Sequence, residues 1–499
     1  MLPFVETSHF IFSFFILIIS LFLLWIFQNS RTKKNLPPSP WKLPLIGNLH
    51  QLRLSPHRSL LNLAKKHGPL MLVHAGSVPM LVASSAEVAQ KILKTHDVVF
   101  CNRPILKIPN RIFYGSKDIA FSQYGEHWRQ VKSIVMVRLL GNKRVQSFQQ
   151  VREEETTIMI NNIGDSRGSL INLSECFISL TNNIVSRVVL GKTYRNIRFK
   201  KLMEKFIDIL GVISVGSCFP SLSWIDRLSG LQRTTDEVAK EFDDFLEGVL
   251  QEHLNKRKGN FIGGDEVQDL VDILLDVQKE NAGNVVIDND TIKAVILDNF
   301  SAGTDTVSTT IEWTISELVR HPCVMIKLQQ EVTEIANGRS MISEEDLDKM
   351  KYLKAVIKES LRLHIPLPLL IQRESTQDVK LMGYDIQAGT RVVINAWAVA
   401  RDPSLWEEAE LFKPERFLNS PIDYKGFHYE FTPFGGGRRG CPGIQFSVAI
   451  IELAIANLVY KFDLALPNGK GVEELDMSES NGITTHRKIH LELVATPRF

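Results

Sequence analysis

One cysteine near the C-terminus stands in a sequence context suited to binding a metal. Cys441 follows a glycine-rich stretch that begins at Phe434, and Arg438 and Arg439 stand shortly before it. A positive environment and the amides of a following helix stabilise a thiolate, which is the form of cysteine that ligates metals. Pro442 is suited to the first position of such a helix. The pattern therefore predicts a metal-binding thiolate at Cys441.

The glycines of the same stretch favour a flat cofactor, because a backbone without Cβ atoms can be approached closely. Haem iron bound by a thiolate receives electron density that favours O–O cleavage. Two alternatives are an inert buried thiol, the usual state of a lone cysteine, and a phosphate-binding loop, whose Gly-Lys-Ser/Thr ending is missing. We interpret Cys441 as the haem ligand, with Phe434 and Gly435 among the cofactor-binding residues.

A second group of residues lies within a long helix predicted over 290–320. It contains Ala302, Gly303, Asp305 and Thr306. Glycine in the middle of a helix costs about 1 kcal/mol relative to alanine, so it needs a packing or functional reason. The acid and the alcohol beside it predict a groove for O2 and water, in which Thr306 donates a hydrogen bond and Asp305 relays protons. Alternatively, the threonine only donates to the preceding turn.

Two further patterns are weaker when each is taken alone. Glu359 and Arg362 share one helical face, and a later Arg416 would convert the pair into a buried structural triad. Trp128 and Lys132 also share one face, so the indole N–H and the ammonium group can reach the same acidic ligand. An ordinary amphipathic helix explains the second pattern equally simply.

The elements that would position these residues are mainly helical. Alternating residues around Gly76 predict a hairpin, Ser84 is a candidate N-cap, and His321 with Pro322 should end the long helix. The predicted elements are strands at 70–75 and 78–83, a second small β region covering 379–386 and 391–395, and helices at 86–95 and 290–320. The fold class is therefore mainly α with a small β region.

In this order, the motifs resemble the cytochrome P450 monooxygenases, membrane-anchored plant type. The family signature Phe-Gly-x-Gly-Arg-x-x-Cys-x-Gly is matched from Phe434 to Gly443, and the resemblance covers essentially the whole chain. It implies the cytochrome P450 fold, one large haem domain and haem b bound through Cys441. It also implies oxygen activation at 302–306.

The resemblance assigns the remaining site residues as well. It implies the structural triad of Glu359, Arg362 and Arg416, and haem-propionate contacts from Trp128, Arg439 and Arg373. Lys132 departs from the pattern, since many relatives carry arginine there. Lysine keeps the charge but lacks the bidentate fork of arginine, so its propionate contact is left open.

Enzymes of this kind insert one oxygen atom of O2 into an apolar substrate and reduce the other to water. No G-x-G-x-x-G sequence follows a predicted strand, so the resemblance implies that a separate NADPH–cytochrome P450 reductase supplies the electrons. We expect it to dock on a basic surface near Cys441, with Arg438, Lys143 and Arg144 as candidates.

The substrate is predicted from the segments expected to line the pocket, which are largely aliphatic and suit a small, mostly apolar ligand. These segments are 104–121, 299–306, 365–371 and 482–485. Residues 416–431 resemble furanocoumarin synthases of the psoralen and angelicin type but lie outside the pocket, and residues 363–368 depart from psoralen synthases. A coumarin or furanocoumarin-type compound is the first hypothesis and a terpenoid the second. A non-catalytic haem-binding protein and a peroxide-using member of the family are rival hypotheses, and the intact groove at 303–306 argues against both.

The N-terminus predicts membrane attachment. Residues 10–27 are almost wholly apolar and rise roughly 27 Å as a helix, just enough for a thin bilayer. Basic residues follow directly, which indicates a cytosolic body, and the basic n-region and cleavage site of a signal peptide are missing. We expect a lumenal segment at 1–9, a single-pass anchor at 10–28, a basic and proline-rich hinge at 29–49 and the haem domain at 50–499. This arrangement predicts the endoplasmic reticulum membrane.

Composition limits the remaining possibilities. The chain has 499 residues, of which 44% are hydrophobic, and 58 Lys and Arg against 56 Asp and Glu give a net charge of +2. These values exclude disordered and collagen-like chains, and the neutral balance argues against nucleic acid as a partner. Five dispersed cysteines predict a reducing compartment. Length alone suggests about three domains, whereas the resemblance implies one haem domain.

Overall fold

The protein is described from a computed structural model. The structure describes residues 35–166, 168–194, 197–258, 268–280, 287–480 and 482–499, together with the single positions 13, 16 and 20. Apart from those three positions, the predicted anchor at 10–28 lies outside the described residues, as does the first part of the predicted hinge. The predicted haem domain is described nearly throughout.

Helices make up most of the described chain. They are α1 Pro56–His67, α2 Ala86–Gln90, α3 Asp97–Phe100, α4 Lys107–Ile112, α5 Glu126–Arg138, α6 Asn142–Ser147, α7 Gln149–Gly164, α8 Leu173–Leu190, α9 Ile197–Leu210, α10 Val215–Cys218, α11 Ile225–Leu228, α12 Leu231–Lys258, α13 Leu270–Glu280, α14 Asn289–Arg320, α15 Pro322–Ala336, α16 Glu344–Leu347, α17 Lys351–Leu363, α18 Ala396–Val399 and α19 Ile444–Lys461. The mainly helical prediction is confirmed.

Short strands form three small sheets in this part of the chain. The strands are β1 Leu70–Ala75, β2 Val78–Ala83, β3 Leu170–Asn172, β4 Arg373–Glu374, β5 Val379–Leu381, β6 Tyr384–Ile386, β7 Arg391–Ile394, β8 Phe462–Ala465 and β9 Glu492–Pro497. The sheet orders are β1-β2-β7-β4, β3-β9-β8 and β5-β6, and β2 runs parallel to β7. The predicted hairpin of β1 and β2 and the second small β region are confirmed.

The long helix α14 crosses the centre of the domain. It has 32 residues and is therefore about 48 Å long. The side chain of Asp288 accepts the Thr291 N–H at 2.8 Å and caps its N-terminus. The helix ends at His321, and Pro322 begins α15. The predicted bounds are thus correct to one residue, and residues 302–306 lie near the middle of the domain.

The main hydrophobic core surrounds α14 on several sides. It contains apolar residues of α7, α8, α17 and α19, together with α14 itself. α19 is apolar enough for a membrane span, with a mean hydropathy of 1.4, but 78% of it is buried within the protein. Because α19 starts directly after Cys441, burial of this helix holds the cysteine segment against the core.

The helix predicted over 86–95 differs from the observed one in two details. The N-cap is Ser85, whose hydroxyl accepts the Val88 N–H at 3.3 Å, whereas the backbone N–H of Ser84 donates to Pro69. The α-helical hydrogen bonding also ends at Gln90, and residues 91–95 continue as a π-helical turn. Such turns often occur at functional sites, and this one packs beside the glycine-rich segment before Cys441.

Candidate active site

The segment at 432–443, called the thiolate loop below, places Cys441 at one wall of an internal cavity. The Cys441 N–H donates to the Phe434 carbonyl oxygen at 2.9 Å and closes the loop. Gly437 has a φ of 66°, and a Cβ there would stand 2.5 Å from a carboxylate oxygen of Asp97. Glycine is required at this position because other residues rarely adopt this φ and because a side chain would have no room.

The Cys441 sulfur has some surroundings that disfavour a negative charge on it and others that favour one. Burial raises the pKa of the thiol, whereas the backbone N–H of Gly443 and the charge of Lys132 lower it. The helix α19 begins at Ile444 with Gly443 as its N-cap, so Pro442 precedes the helix and does not occupy its first position. The predicted support from backbone amides is therefore present, but it comes from the turn before the helix.

The cavity above Cys441 has a volume of about 310 Å³ and lies between the thiolate loop and α14. All four segments predicted to line the pocket contribute to its wall. Aliphatic side chains of α8 and residues from the second half of α9 also line it, and sequence reasoning missed them. These residues are Val185, Val188, Val189, Phe206, Ile207 and Leu210. Their apolar spacing on helices is also the ordinary signature of core packing, so it did not distinguish them.

The predicted oxygen-activating residues lie on the cavity side of α14. Ala302, Gly303, Asp305 and Thr306 all line the cavity. The Thr306 hydroxyl donates to the Ala302 carbonyl oxygen at 2.7 Å, so in this structure its hydrogen makes the bond to the preceding turn that was the alternative, and its lone pairs stay available to accept a hydrogen bond. A Cβ on Gly303 would lie 3.1 Å from a methyl group of Val185 in α8. The glycine thus has a packing reason, the close approach of α8, as well as its place in the groove.

The Asp305 carboxylate has a partner that the sequence did not reveal. Nε2 of His486 lies 3.2 Å from Oδ1 of Asp305, and Nδ1 of His486 lies 2.8 Å from the Thr309 hydroxyl. His486 follows the cavity-lining residues of the C-terminal segment directly. The proposed relay residue on α14 is therefore paired with a titratable group from the last part of the chain.

Four basic side chains from separate parts of the chain line one side of the cavity, and we call them the cavity cations. They are Arg103, Lys132, Arg373 and Arg439. Arg439 donates to three backbone carbonyl oxygens, those of Cys101, Ile119 and Ser122. Arg103 does the same with those of Ala120, Ile371 and Gln372. Arg103 was missed by sequence reasoning, because nothing in its local sequence distinguishes it.

The other two cavity cations are held by the thiolate loop itself. Arg373 donates to the Gly436 carbonyl oxygen at 2.8 Å and lies 3.5 Å from the Asp97 carboxylate. The Lys132 ammonium group donates to the Arg438 carbonyl oxygen. Both side chains therefore connect the cavity wall to the segment that carries Cys441.

Trp128 contacts the cavity cations through its ring face. Its indole N–H donates to the Ile119 carbonyl oxygen at 3.0 Å, so this hydrogen already has an acceptor. The Arg439 guanidinium stacks on the ring at 4.2 Å, and the Lys132 ammonium lies 4.9 Å from its centroid. In this structure Trp128 positions two cations by cation–π contact, and its predicted propionate contact requires the indole N–H to change partner.

The cavity cations fit an anionic cofactor. Burial lowers the pKa of Arg439 to about 10 and that of Arg103 and Arg373 below the ordinary range, because hydrogen bonds to neutral carbonyls compensate a buried charge only in part. A ligand carrying carboxylates would supply the missing compensation. A thiolate on one wall, cations at the side and glycines that admit a flat ring match haem with its propionates.

The triad residues come together in one network. Arg362 forms two hydrogen bonds of 2.8 Å with the Glu359 carboxylate, and both side chains are fully buried. Arg416 donates to Glu359 at 2.9 Å, as does the backbone N–H of Lys413 at 2.8 Å. The structure brings all three predicted members into one network, and their position is structural.

The candidate docking residues differ in availability. Arg438 is half-exposed but forms an ion pair with Asp97 at 3.3 Å. Lys143 is exposed, whereas Arg144 donates to the Gln268 carbonyl oxygen. Arg438 and Lys143 are therefore the better candidates for contact with another protein.

Comparison with known proteins agrees with this site. The family described as Cytochrome P450 matches residues 37–492. A 3-beta-hydroxylase of Tanacetum parthenium is 55% identical over 98% of this chain and 97% of its own length. A psoralen synthase of Ammi majus is 51% identical over 99% of both chains. A norfluorocurarine oxidase of Strychnos is 48% identical over 97% of this chain and 98% of its own length.

The fold and the thiolate-bearing cavity define a haem-thiolate oxygenase, and the chain belongs to the cytochrome P450 family. It is a monooxygenase whose cofactor is haem, bound through a cysteine thiolate, and whose electrons come from NADPH through a reductase. Cys441 is the cysteine of this chain that faces the cavity and matches the family signature, so it would hold the iron.

Proposed function

We propose that this monooxygenase oxidises a small lipophilic metabolite of plant secondary metabolism, with a coumarin or furanocoumarin-type compound as the first candidate. The observation that carries the proposal is the mainly apolar cavity between Cys441 and the groove at 302–306. Phe113 and Phe121 stack at 5.5 Å beside it, which suits a flat aromatic substrate. The similarity to psoralen synthases supports the same class.

A terpenoid is the second candidate because one wall of the cavity is aliphatic rather than aromatic. Val185, Val188 and Val189 present their side chains from α8, and Leu210 does so from α9. Branched aliphatic walls complement saturated ring systems without any directional contact. The 3-beta-hydroxylase relative shows that this family branch includes hydroxylases as well as synthases.

The chain's own residues have distinct tasks in the reaction. Bound haem supplies oxygen activation, favoured by the electron density of its thiolate ligand. The Thr306 hydroxyl can accept a hydrogen bond in the groove, and it can donate one there when its hydrogen turns from the Ala302 carbonyl oxygen. Asp305 holds or passes a proton there, and the apolar walls exclude water around the substrate. The cavity cations would hold the propionates: Arg373 and Arg439 with Arg103, and Lys132 if its ammonium turns from the Arg438 carbonyl.

The experiment begins with a carbon monoxide difference spectrum of the full chain. NADPH-driven turnover with reductase follows, on a panel of coumarins, dihydrofuranocoumarins and terpenoids. Product from a coumarin supports the first candidate, and product from a terpenoid alone supports the second. A normal spectrum with no NADPH consumption on any compound would favour a non-catalytic haem-binding protein, and turnover with peroxide alone would favour a peroxide-using enzyme.

Two variants separate haem binding from oxygen chemistry. Cys441→Ser should abolish the thiolate–carbonyl band, because serine supplies no thiolate. Thr306→Ala should keep the band but release more peroxide per NADPH, because the groove loses its hydroxyl. Ser308→Ala is the matched control for the second variant, because the Ser308 hydroxyl also donates to the preceding turn of α14 but lies outside the cavity lining, and it should keep normal coupling.

We also propose that the catalytic body is attached to the endoplasmic reticulum membrane by residues 10–28 and faces the cytosol, with the haem domain at 50–499. Its reductase would dock near Arg438 and Lys143. A chain lacking the first 28 residues should leave the membrane fraction in alkaline extraction. Arg438→Glu should slow reductase-driven turnover but leave the carbon monoxide band unchanged; equal rates would exclude this docking face.

A further inference from the structure

The Asp305–His486 pair joins the groove to the solvent-accessible side of the C-terminal segment. The imidazole of His486 is 30% exposed, and the Asp305 side chain is 13% exposed and lines the cavity. The two residues lie far apart in the chain but meet directly, at 3.2 Å. An ionisable ring that contacts both solvent and a groove carboxylate can exchange protons with both.

The hydrogen bonds around His486 suit two charge states of the ring. A carboxylate only accepts, so Nε2 carries a hydrogen toward Asp305. The Thr309 hydroxyl lies 2.8 Å from Nδ1 and also 2.8 Å from the Asp305 carbonyl oxygen. When the ring is charged, Nδ1 donates to the hydroxyl, and the hydroxyl donates to the carbonyl. A neutral ring that has lost its Nε2 hydrogen keeps this arrangement, whereas one that has lost its Nδ1 hydrogen accepts from the hydroxyl, so no heavy atom has to move in either case.

The charges that face His486 are mostly acidic. Asp305 and Glu312 face it from α14, Asp208 faces it from α9, and Arg487 is its neighbour in the chain. Burial disfavours the charged ring, but the hydrogen bond and charge of Asp305 outweigh burial and raise the pKa of His486 above its ordinary value. The ring is therefore charged over a wider pH range than a free histidine.

The surrounding backbone keeps this pair in place. A Cβ on Gly211, at the end of α9, would lie 3.3 Å from the backbone of Gly482 and Ile483. The Trp313 N–H donates to the Thr485 carbonyl oxygen at 2.9 Å, which fixes the residue before His486 to α14. Contacts with the end of α9 and with α14 thus fix the position of the His486 ring relative to the groove.

We propose that His486 is a positioning residue that acts through Asp305: it orients the carboxylate and restores the proton that Asp305 passes into the groove. The Nε2 proton moves to Oδ1 of Asp305 and leaves a neutral imidazole. After Asp305 has released its proton, water at the exposed edge of the pair returns one, so the charge is conserved in each cycle. The inference rests on the relay role proposed for Asp305.

The test measures the fraction of NADPH electrons released as peroxide by the full chain with reductase, from about pH 6 to pH 8.5. One series of measurements contains a dihydrofuranocoumarin, and a second series contains no organic substrate. The test therefore does not depend on identifying the natural substrate. Because the charged ring supplies the proton, coupling should be highest below the raised pKa and should fall as pH rises through it. The carbon monoxide band reports folding of each variant.

His486→Gln keeps a hydrogen-bond donor but has no titrating proton. We expect a peroxide fraction several-fold higher at low pH and a flattened pH profile, while His490→Gln, an exposed histidine of the same segment, should match the unmodified protein. An unchanged profile in His486→Gln, with a raised fraction in Asp305→Asn, would overturn this inference alone. If Asp305→Asn also has no effect, the relay and the inference are both wrong.

Thr309→Val provides a second measurement that leaves the histidine in place. Without the hydroxyl, Nδ1–H of the charged ring loses its acceptor, so the midpoint of the pH profile should move down by about one unit. An unchanged midpoint would overturn the inference. This measurement also decides the question if His486→Gln fails to bind haem.

Discussion

Two groups of arginines, those of the triad and those among the cavity cations, are satisfied in different ways. In the triad, Arg362 and Arg416 both bind the Glu359 carboxylate, so charge is compensated within the protein. Among the cavity cations, Arg103 and Arg439 donate to neutral backbone carbonyls. The comparison separates a structural network from a binding site. The charges of the triad arginines are compensated within the protein, whereas those of Arg103 and Arg439 would be compensated by an anionic ligand.

The largest expected effect is on the complete network. Glu359→Gln removes the charge that compensates Arg362 and Arg416 but keeps the size of the side chain. We expect a loss of about 3–5 kcal/mol in the free energy of unfolding, because two buried cations lose their partner. Denaturant unfolding of the full chain measures it.

The matched control for this variant is Glu408→Gln. Glu408 pairs with Lys413 at 2.5 Å at the surface, where both side chains are about half-exposed. Its loss should change the free energy of unfolding far less than the Glu359 variant does, because solvent screens an exposed pair. Equal losses in the two variants would show that the triad is no more important than a surface ion pair.

An intermediate effect is expected from the incomplete group. Arg373→Met removes a buried charge, its hydrogen bond to Gly436 and its ion pair with Asp97. Asp97 keeps Arg438 as a partner, so the stability of the haem-free protein should change by no more than about 1 kcal/mol. Haem affinity should fall by about tenfold or more, since a charge-assisted bond is lost. Haem titration of the apoprotein and its unfolding curve measure the two quantities separately. A large loss of stability with normal haem affinity would place Arg373 with the triad.

The smallest effect is expected at the residue that departs from the family pattern. Lys132→Met should reduce haem affinity by only about threefold, because the ammonium makes a single-point contact at best. Lys132→Arg should restore or exceed the original affinity if a propionate lies within reach. Lys143→Met, an exposed lysine outside the cavity, is the control, and an identical affinity in all three variants would remove Lys132 from the haem site.

Local patterns predicted much of this arrangement. The hairpin around Gly76, the extent of α14 and the glycine-rich segment before Cys441 all depend on neighbouring residues, so they could be read directly. Smaller errors also have local causes. Ser84 and Ser85 are both suitable caps, and the choice between them was decided by the backbone bond of Ser84 to Pro69.

Other parts of the site could not be predicted, because they join residues that are remote in the chain. Arg103 enters the site through carbonyl oxygens of residues 371 and 372, which lie 268 and 269 positions away. His486 meets Asp305 only because α9 and α14 hold the C-terminal segment in place. Helical periodicity shows which face of a helix is apolar, but not which distant loop covers that face.

The sequence by itself determined which groups the site offers: Cys441, which would ligate the haem iron, a glycine-acid-alcohol group on one long helix, and the members of a Glu–Arg–Arg triad. Tertiary structure alone decided how charge is distributed around that site. It gave Glu359 two cations, turned Trp128 toward a backbone carbonyl and brought the cavity cations from separate parts of the chain to one cavity wall. The reason is physical. Residue type determines which partners a side chain is able to bind, whereas burial and distance determine which of those partners lie within its reach.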